Sequence, residues 1–587
     1  MQFLKRVLST VVGIFIFFMI SFFLLFIVGS LLLKTTDKKP KTSSKSILEL
    51  KLEAPIKDYS GRTRYKNYSF LDDENDNGLF KIVSAIDHAA NDDNIEGISI
   101  EVPTANAGMT QLKTLREALK RFKESGKFIN AYGNVYTQSD YYLSSVADSI
   151  FISPVGHLDF KGLATELLYF KDLQEKSGVK MEVIRMGKYK SAVEPFLENE
   201  ISENNKEQIL SYLNSMWKNL RVDIGNDRNI SAEQLDTIAD QLLARTPERA
   251  MEVGLIDNIY YRDEYESKIK KQLDIDEKKD LKLVNILDYT DRIGKQNHYK
   301  TNSNKIAVIY AQGEIIDGTG SVDKVGPEEV NKALRNARKN KNVKAVVLRV
   351  NSPGGSAMAS DLMWKEIENT KKEKPVIVSM GDLAASGGYY ISAGADKIFA
   401  ESSTITGSIG VFGMLPNFKE LSDKIGVHSQ QVTTNENAIT YSPFQKVSEN
   451  QHDFILESIE QIYDLFKTRV AEGRNMSMEE VEEIAQGRVW TGEQALENGL
   501  VDEIGGLEEA LKYAAQQADI ENYQITEYPI FKIDVDKILR QYGFGMSKTE
   551  ITKEVLGEEL YPLIEDIKAK TERKGVQLIF PYSTEIK

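Results

Sequence analysis

The chain contains one stretch of sequence twice. Asn94-Ile95-Glu96-Gly97-Ile98-Ser99-Ile100-Glu101-Val102 falls on Asn342-Val343-Lys344-Ala345-Val346-Val347-Leu348-Arg349-Val350 at an offset of 248. The offset then holds without a gap to Gly178-Val179 on Gly426-Val427. On the way it sets Gly133 on Gly381, Tyr141-Tyr142 on Tyr389-Tyr390 and Ala147-Asp148 on Ala395-Asp396. Residues 249–257 return as 494–502 at an offset of 245, so the copies differ by small insertions. A repeat of this length restricts the fold to two copies of one domain. In each copy short apolar runs alternate with helical patterns, such as 112–122 and 328–338. This predicts α/β architecture, with buried parallel strands covered by helices.

The predicted division follows from the repeat. Residues 46–294 form the first copy and 305–529 the second, joined by a polar linker at 295–304. Residues 530–587 form an extension with no counterpart, mixing an amphipathic stretch (548–570) with an apolar one, Val576-Gln577-Leu578-Ile579-Phe580-Pro581; it is expected to pack on the body or on a neighbouring chain. Ahead of the first copy lie a short N-terminus (1–6), an uncharged apolar run (7–33) and a Lys/Thr/Ser linker (34–45). As a helix, the 27 residues of 7–33 would extend roughly 40 Å, against a hydrocarbon core of about 30 Å. The run is longer than the apolar core of a cleavable signal peptide, and Val28-Gly29-Ser30 is a poor cleavage site. An uncleaved transmembrane anchor is therefore expected. Counting Lys34, Lys38, Lys39 and Lys41 against Lys5 and Arg6 favours a cytoplasmic C-terminal side.

Composition narrows the chemistry. A net charge of −14 argues against a general nucleic-acid binder. There is no cysteine, hence no thiolate nucleophile. None of the five histidines (His88, His157, His298, His428, His452) has a metal-helix spacing, so no metal or other cofactor is expected. A serine hydrolase here must find another base.

The second copy carries a candidate nucleophile. Ala384-Ala385-Ser386-Gly387-Gly388 stands between the apolar run Val376-Ile377-Val378 and a helix-compatible stretch. Small neighbours let a substrate backbone approach, and the amide of Gly387 can face an oxyanion. Taken alone, Ser386 also reads as a helix N-cap. Gly354-Gly355 in Asn351-Ser352-Pro353-Gly354-Gly355-Ser356 frees a second backbone N–H for the same work. The first copy has Pro103-Thr104-Ala105-Asn106-Ala107 and Gln138-Ser139-Asp140 at these places, with Ser139 one position out of register. What it has instead is Lys188-Tyr189-Lys190-Ser191-Ala192-Val193-Glu194-Pro195-Phe196, where Lys190 falls opposite Ala438. One copy thus offers a serine without a base, the other a lysine without a serine. A lysine serves as a base only if burial makes its amine neutral, and an interface between the copies can be that dry. The acidic run at 198–203 reads as a solvated loop near this lysine.

Together these stretches, with Ser403-Thr404-Ile405-Thr406-Gly407-Ser408-Ile409-Gly410, resemble the long, tandem-repeat form of the signal peptide peptidase A family of membrane-anchored bacterial serine proteases. The resemblance covers nearly the whole chain. It implies a Clp-protease/crotonase-like fold and a Ser/Lys dyad, with Ser386 as nucleophile and Lys190 as general base. Lys188, two residues earlier and on the same face of any strand there, is the rival base. Gly355 and Gly387 match the oxyanion donors, with Gly354 in support, and Ser408 matches the hydroxyl that orients the lysine. The implied substrates are remnant signal peptides and similar apolar segments. The implied assembly is a homotetramer on the outer face of the inner membrane, held to the bilayer by the N-terminal helix, which opposes the charge count. Whether a dyad forms within one chain or across chains is open at this point. The rival readings are a crotonase-type acyl-CoA enzyme, which needs neither the anchor nor the serine, and a non-catalytic membrane scaffold, which needs neither Ser386 nor Lys190.

Overall fold

The computed structural model of the protein describes residues 42–52, 54–65, 73–74, 78–102, 107–297, 304–435, 437–533 and 577–579, with isolated positions between 13 and 21. The expected anchor at 7–33, residues 103–106 and the 548–570 stretch lie outside the described residues, apart from those isolated positions. Among the described residues no helix is long and apolar enough to cross a membrane.

The first copy builds a six-stranded sheet. In chain order come β1 (Ser46–Leu50), β2 (Ile95–Val102), β3 (Phe128–Tyr136) and β4 (Ser149–Leu158). Then β5 (Lys180–Met186) leaves the sheet, and β6 (Asn258–Ile259) and β7 (Lys282–Asn285) complete it as β6-β4-β3-β2-β1-β7, parallel throughout. Its strands are apolar on both faces, as a sheet covered twice must be. Ile98, Ile100, Ile129 and Ile150 pack under helices α1 (Leu79–Ala90) and α2 (Met109–Glu124), while Ile47, Tyr132 and Phe151 pack on Tyr265 and Ile269 of the opposite layer.

The second copy repeats the plan. It contributes β8 (Lys305–Gln312), β9 (Glu314–Ile315), β10 (Lys324–Val325), β11 (Val343–Ser352), β12 (Gly354–Ser356), β13 (Val376–Ala385), β14 (Lys397–Ala400), β15 (Ile405–Gly407), β16 (Val411–Asn417), β17 (Val489–Thr491), β18 (Glu503–Ile504) and β19 (Gln524–Tyr528). Its main sheet runs β17-β15-β13-β11-β8-β19, with β14 and β18 branching from β13. The pairings are parallel except β15 with β17. The duplication is visible in the elements: helix Lys171–Ser177 recurs as Lys419–Ile425, and the long helix Glu203–Arg228 as Glu449–Arg474.

The copies are not used alike. A third sheet, β10-β9-β12-β20-β16-β5, adds β20 (Gln577–Ile579) and draws β5 out of the first copy. There β5 lies antiparallel to β16, with Met186 opposite Val411 and Lys180 opposite Asn417. The counterparts of these two strands, 428–434 and 163–169, form no strand. The hydrophobic core also crosses the boundary, since Ala385, Ile405 and Val489 join the core of the first copy. A polar clamp reinforces it. Arg349 on β11, 2% exposed, pairs with Asp58 at 2.9 Å and donates to Ser379 Oγ and Met380 O at 2.8 Å each. Asp58 also accepts from Gln111 of α2, and Asp382 accepts from the Thr110 N–H and hydroxyl in the first turn of α2. Strand β13 therefore reaches Ser386 while tied to the other copy directly at Asp382 and, through the Arg349–Asp58 pair, at Ser379 and Met380.

Candidate active site

Ser386 follows the last residue of β13 and precedes helix α3 (Gly387–Ser392). The turn is tight. Ser386 has φ 56° and ψ −115°, a conformation that costs a non-glycine residue of order 1–3 kcal/mol and that projects its side chain away from the strand-to-helix turn. Hydrogen bonds hold it there: Ser386 N donates to Gly407 O at 2.8 Å, and Tyr390 N donates to Ser386 O at 2.8 Å. Although Ser386 occupies the N-cap position of α3, its side chain makes no capping bond. Its partner is Lys190.

Lys190 Nζ lies 2.8 Å from Ser386 Oγ, 2.9 Å from Ser408 Oγ and 3.0 Å from Ser408 O. All three residues are fully buried, and the contact forms within one chain. No carboxylate offsets the ammonium here; burial alone pushes the Lys190 amine well below the ordinary lysine value. The count of partners suits a neutral amine, which has two N–H groups and one lone pair. The two N–H groups match the two Ser408 oxygens, and the lone pair matches the Ser386 hydroxyl.

The lysine reaches this place because its loop is docked on the second copy. Strand β5 ends at Met186, so Lys188 and Lys190 do not share a strand face as expected. Instead the chain turns, Tyr189 N donates to Gln486 O at 2.9 Å, and Lys190 N donates to Gly187 O at 3.1 Å. Lys188 is exposed, its Nζ 5.1 Å from the centroid of the Tyr189 ring, and it is Lys190 that bonds Ser386. Gly487 makes the approach possible: a Cβ there would stand 2.6 Å from Lys190 Cβ and 2.7 Å from Lys190 N. Gln208 ties the loop down from the long helix Glu203–Arg228, donating to Tyr189 O and Ser191 Oγ at 3.0 and 2.8 Å. Arg488 and Glu207 hold the Tyr189 hydroxyl at 3.2 and 3.1 Å. The acidic run at 198–203 is largely exposed.

The glycines expected to serve an oxyanion also converge on Ser386. Gly354 and Gly355 form β12, and a Cβ on Gly355 would meet Ile315 O at 1.9 Å, so only glycine lets this backbone lie against β9. A Cβ on Gly387 would stand 3.1 Å from Gly354 Cα and 3.2 Å from Gly355 N. The two backbones are in contact. The corresponding places in the first copy hold no such pair: Gln138, opposite Ser386, accepts from Lys161 N and Gly162 N instead. Among the described residues no cluster of side chains fits a metal ion.

The sequence reading did not foresee Gly487, Gln208 or the Arg488–Tyr189–Glu207 set. One signal was available: at the offset of 245, Gly487 stands where the first copy has Leu242.

Known proteins place the chain. The model of peptidase family S49 matches twice, at residues 121–276 and 368–521. Protease 4 of Haemophilus influenzae is 40% identical over 446 residues, covering 74% of this chain and 72% of that protein. Protease 4 of Salmonella typhi is 37% identical, covering 77% and 74%. The chloroplastic serine protease SPPA of Arabidopsis thaliana is 33% identical, covering 74% and 64%. The chain belongs to peptidase family S49 and is a serine protease carrying that family's domain twice.

Proposed function

We propose that the protein is a membrane-anchored endopeptidase of Clp-protease/crotonase-like fold that degrades cleaved signal peptides and similar apolar peptides with a Ser386/Lys190 dyad. The observation that carries this reading is the 2.8 Å contact between a buried lysine amine and a serine hydroxyl on a strand-to-helix turn. Neutral Lys190 takes the proton of Ser386 Oγ as that oxygen bonds to the substrate carbonyl carbon. The carbonyl oxygen becomes an anion, held by the N–H groups of Gly387 and Gly355, with Gly354 shaping the strand. The lysinium gives its proton to the leaving nitrogen as the C–N bond breaks, leaving an acyl-Ser386. Lys190 then deprotonates a water, which releases the acid and restores the serine. Ser408 keeps the amine aimed throughout, through its hydroxyl and carbonyl oxygens.

Residues 7–33 would hold the enzyme in the inner membrane with its body on the periplasmic side. A head-to-tail assembly of chains is supported by the unused strand edges. Within the chain β5 of one copy pairs with β16 of the other, and their counterparts at 428–434 and 163–169 are left without partners in a sheet. Pairing these segments between chains would repeat the same contact, and such a heterologous interface makes a ring where its rotation closes; four chains is the number the family resemblance implies.

A fluorophosphonate probe tests the dyad. Labelling is expected in the intact protein and lost in both Ser386→Ala and Lys190→Ala. Undiminished labelling of folded Lys190→Ala would overturn the assignment of the base.

A further inference from the structure

The candidate oxyanion strand β12 does not end in an open edge. Strand β20 lies antiparallel along it, with Gln577 opposite Ser356, Leu578 opposite Gly355 and Ile579 opposite Gly354. On its other side β20 meets β16, with Gln577 opposite Phe412. The three residues therefore bridge the strand that carries Gly354-Gly355 and the strand that carries, through β5, the lysine loop. An extended peptide enters a sheet by adding a strand to a free edge, where main-chain hydrogen bonds hold it in register. The edge that would position a peptide carbonyl at Gly355 and Gly387 is the edge β20 occupies. A second observation agrees: Ser386, Lys190 and Ser408 expose none of their surface, although a peptide has to reach Ser386. The segment also has the chemistry of the proposed substrates, since Val576-Gln577-Leu578-Ile579-Phe580-Pro581 is apolar at all but one position.

We infer that β20, Gln577–Ile579, is an intramolecular competitor of the substrate. It sits as the substrate strand beside the dyad, and a peptide has to displace it before acylation. Three paired residues make a short strand; β20 covers all of β12 but meets β16 only at Phe412, and a longer peptide can pair further along β16. The inference rests on Ser386 being the nucleophile.

The test compares the full-length protein with its Leu578→Pro variant. Proline there removes an N–H and locks φ, so the strand cannot pair as it does now. Two rates are read: fluorophosphonate labelling of Ser386, and cleavage of a fluorogenic apolar peptide. The inference expects labelling to speed up several-fold and KM for the peptide to fall by a similar factor, with kcat little changed. Equal labelling rates and equal KM in the two proteins would overturn it, as would slower labelling of a variant with unchanged circular dichroism, which would make β20 a strut. A synthetic peptide of residues 575–581, added to the intact enzyme, provides a measurement that needs no variant. Competitive slowing of cleavage is expected, and no slowing at millimolar peptide would count against the inference. Failure here is separable from failure of the dyad: if Ser386→Ala still abolishes labelling, the catalytic reading stands and only the competitor falls.

Discussion

Replacing Lys190 by methionine separates the charge of the lysine from its bulk. Methionine keeps about the same length of apolar stem but cannot take a proton. In the fold the amine is held below its ordinary value by burial, with no acid beside it; in the unfolded chain it titrates near 10.4. Between the depressed value and 10.4 the unfolded chain holds one more proton than the folded one. Stability must therefore rise with pH through that window, by up to about 1.4 kcal/mol per pH unit for one group. Below the window both states are protonated and the full cost of burying the charge is felt; above it both are neutral and the cost is gone. Lys190→Met removes this dependence. The constant part of the change has two opposing pieces. The variant loses the amine's bonds to Ser386 and Ser408, at about 1 kcal/mol each, and it gains relief from burying an ionisable group. The slope has no such ambiguity. Urea unfolding of both proteins, followed by tryptophan fluorescence from about pH 6 to about pH 9, gives the difference directly. Wild type should gain on the variant steadily as pH rises, and the pH at which that gain begins should match the pH at which Ser386 labelling by fluorophosphonate rises. A difference that stays flat over the range would mean that Lys190 keeps its charge in the fold. The lysine could not then be the base at neutral pH.

Two further substitutions probe how the amine is held. Ser408→Ala removes one of the two acceptors that fix Nζ, leaving an N–H unsatisfied in a dry site at about 1–3 kcal/mol; acylation of Ser386 should slow by roughly 10- to 100-fold with KM for peptide substrates unchanged, as read in steady-state cleavage assays. Gly487→Ala places a methyl 2.6 Å from Lys190 Cβ, so the loop must retreat by some tenths of an ångström. A shift on the scale of 1 Å can cost on the order of a hundredfold, and labelling should fall by about tenfold or more while circular dichroism stays that of wild type.

The last substitution shows where a sequence stops being legible. Gly487 has φ 76°, yet Leu242, its counterpart in the first copy, takes φ 50° without being glycine. The backbone angle therefore does not demand glycine at 487; the lysine loop of the other copy does. Such a demand is set by a contact between residues about 300 positions apart, and no local pattern encodes it. The same distinction runs through the molecule. The parallel strands and their helices were readable because burial on both faces leaves an apolar run in the sequence itself. Ser386 and Lys190 were readable as a pair because duplication supplies a control for each: Gln138 stands opposite the serine, and Ala438 opposite the lysine. Between Lys188 and Lys190 that control is silent, and the outcome was decided by where β5 ends and how the turn at Gly187 meets Gln486. The exchange of β5 into the sheet of the second copy was equally hidden, since no local pattern in 180–186 or 428–434 names the edge a strand would join. Only one of them finds an edge within the chain. Two copies that began alike have thus become unlike through their mutual contact, because the strand that crosses to β16 also carries the lysine to the serine. The division of chemistry and the asymmetry of the fold are one event in physical terms, and a variant that breaks the β5–β16 pairing should lose the dyad with it.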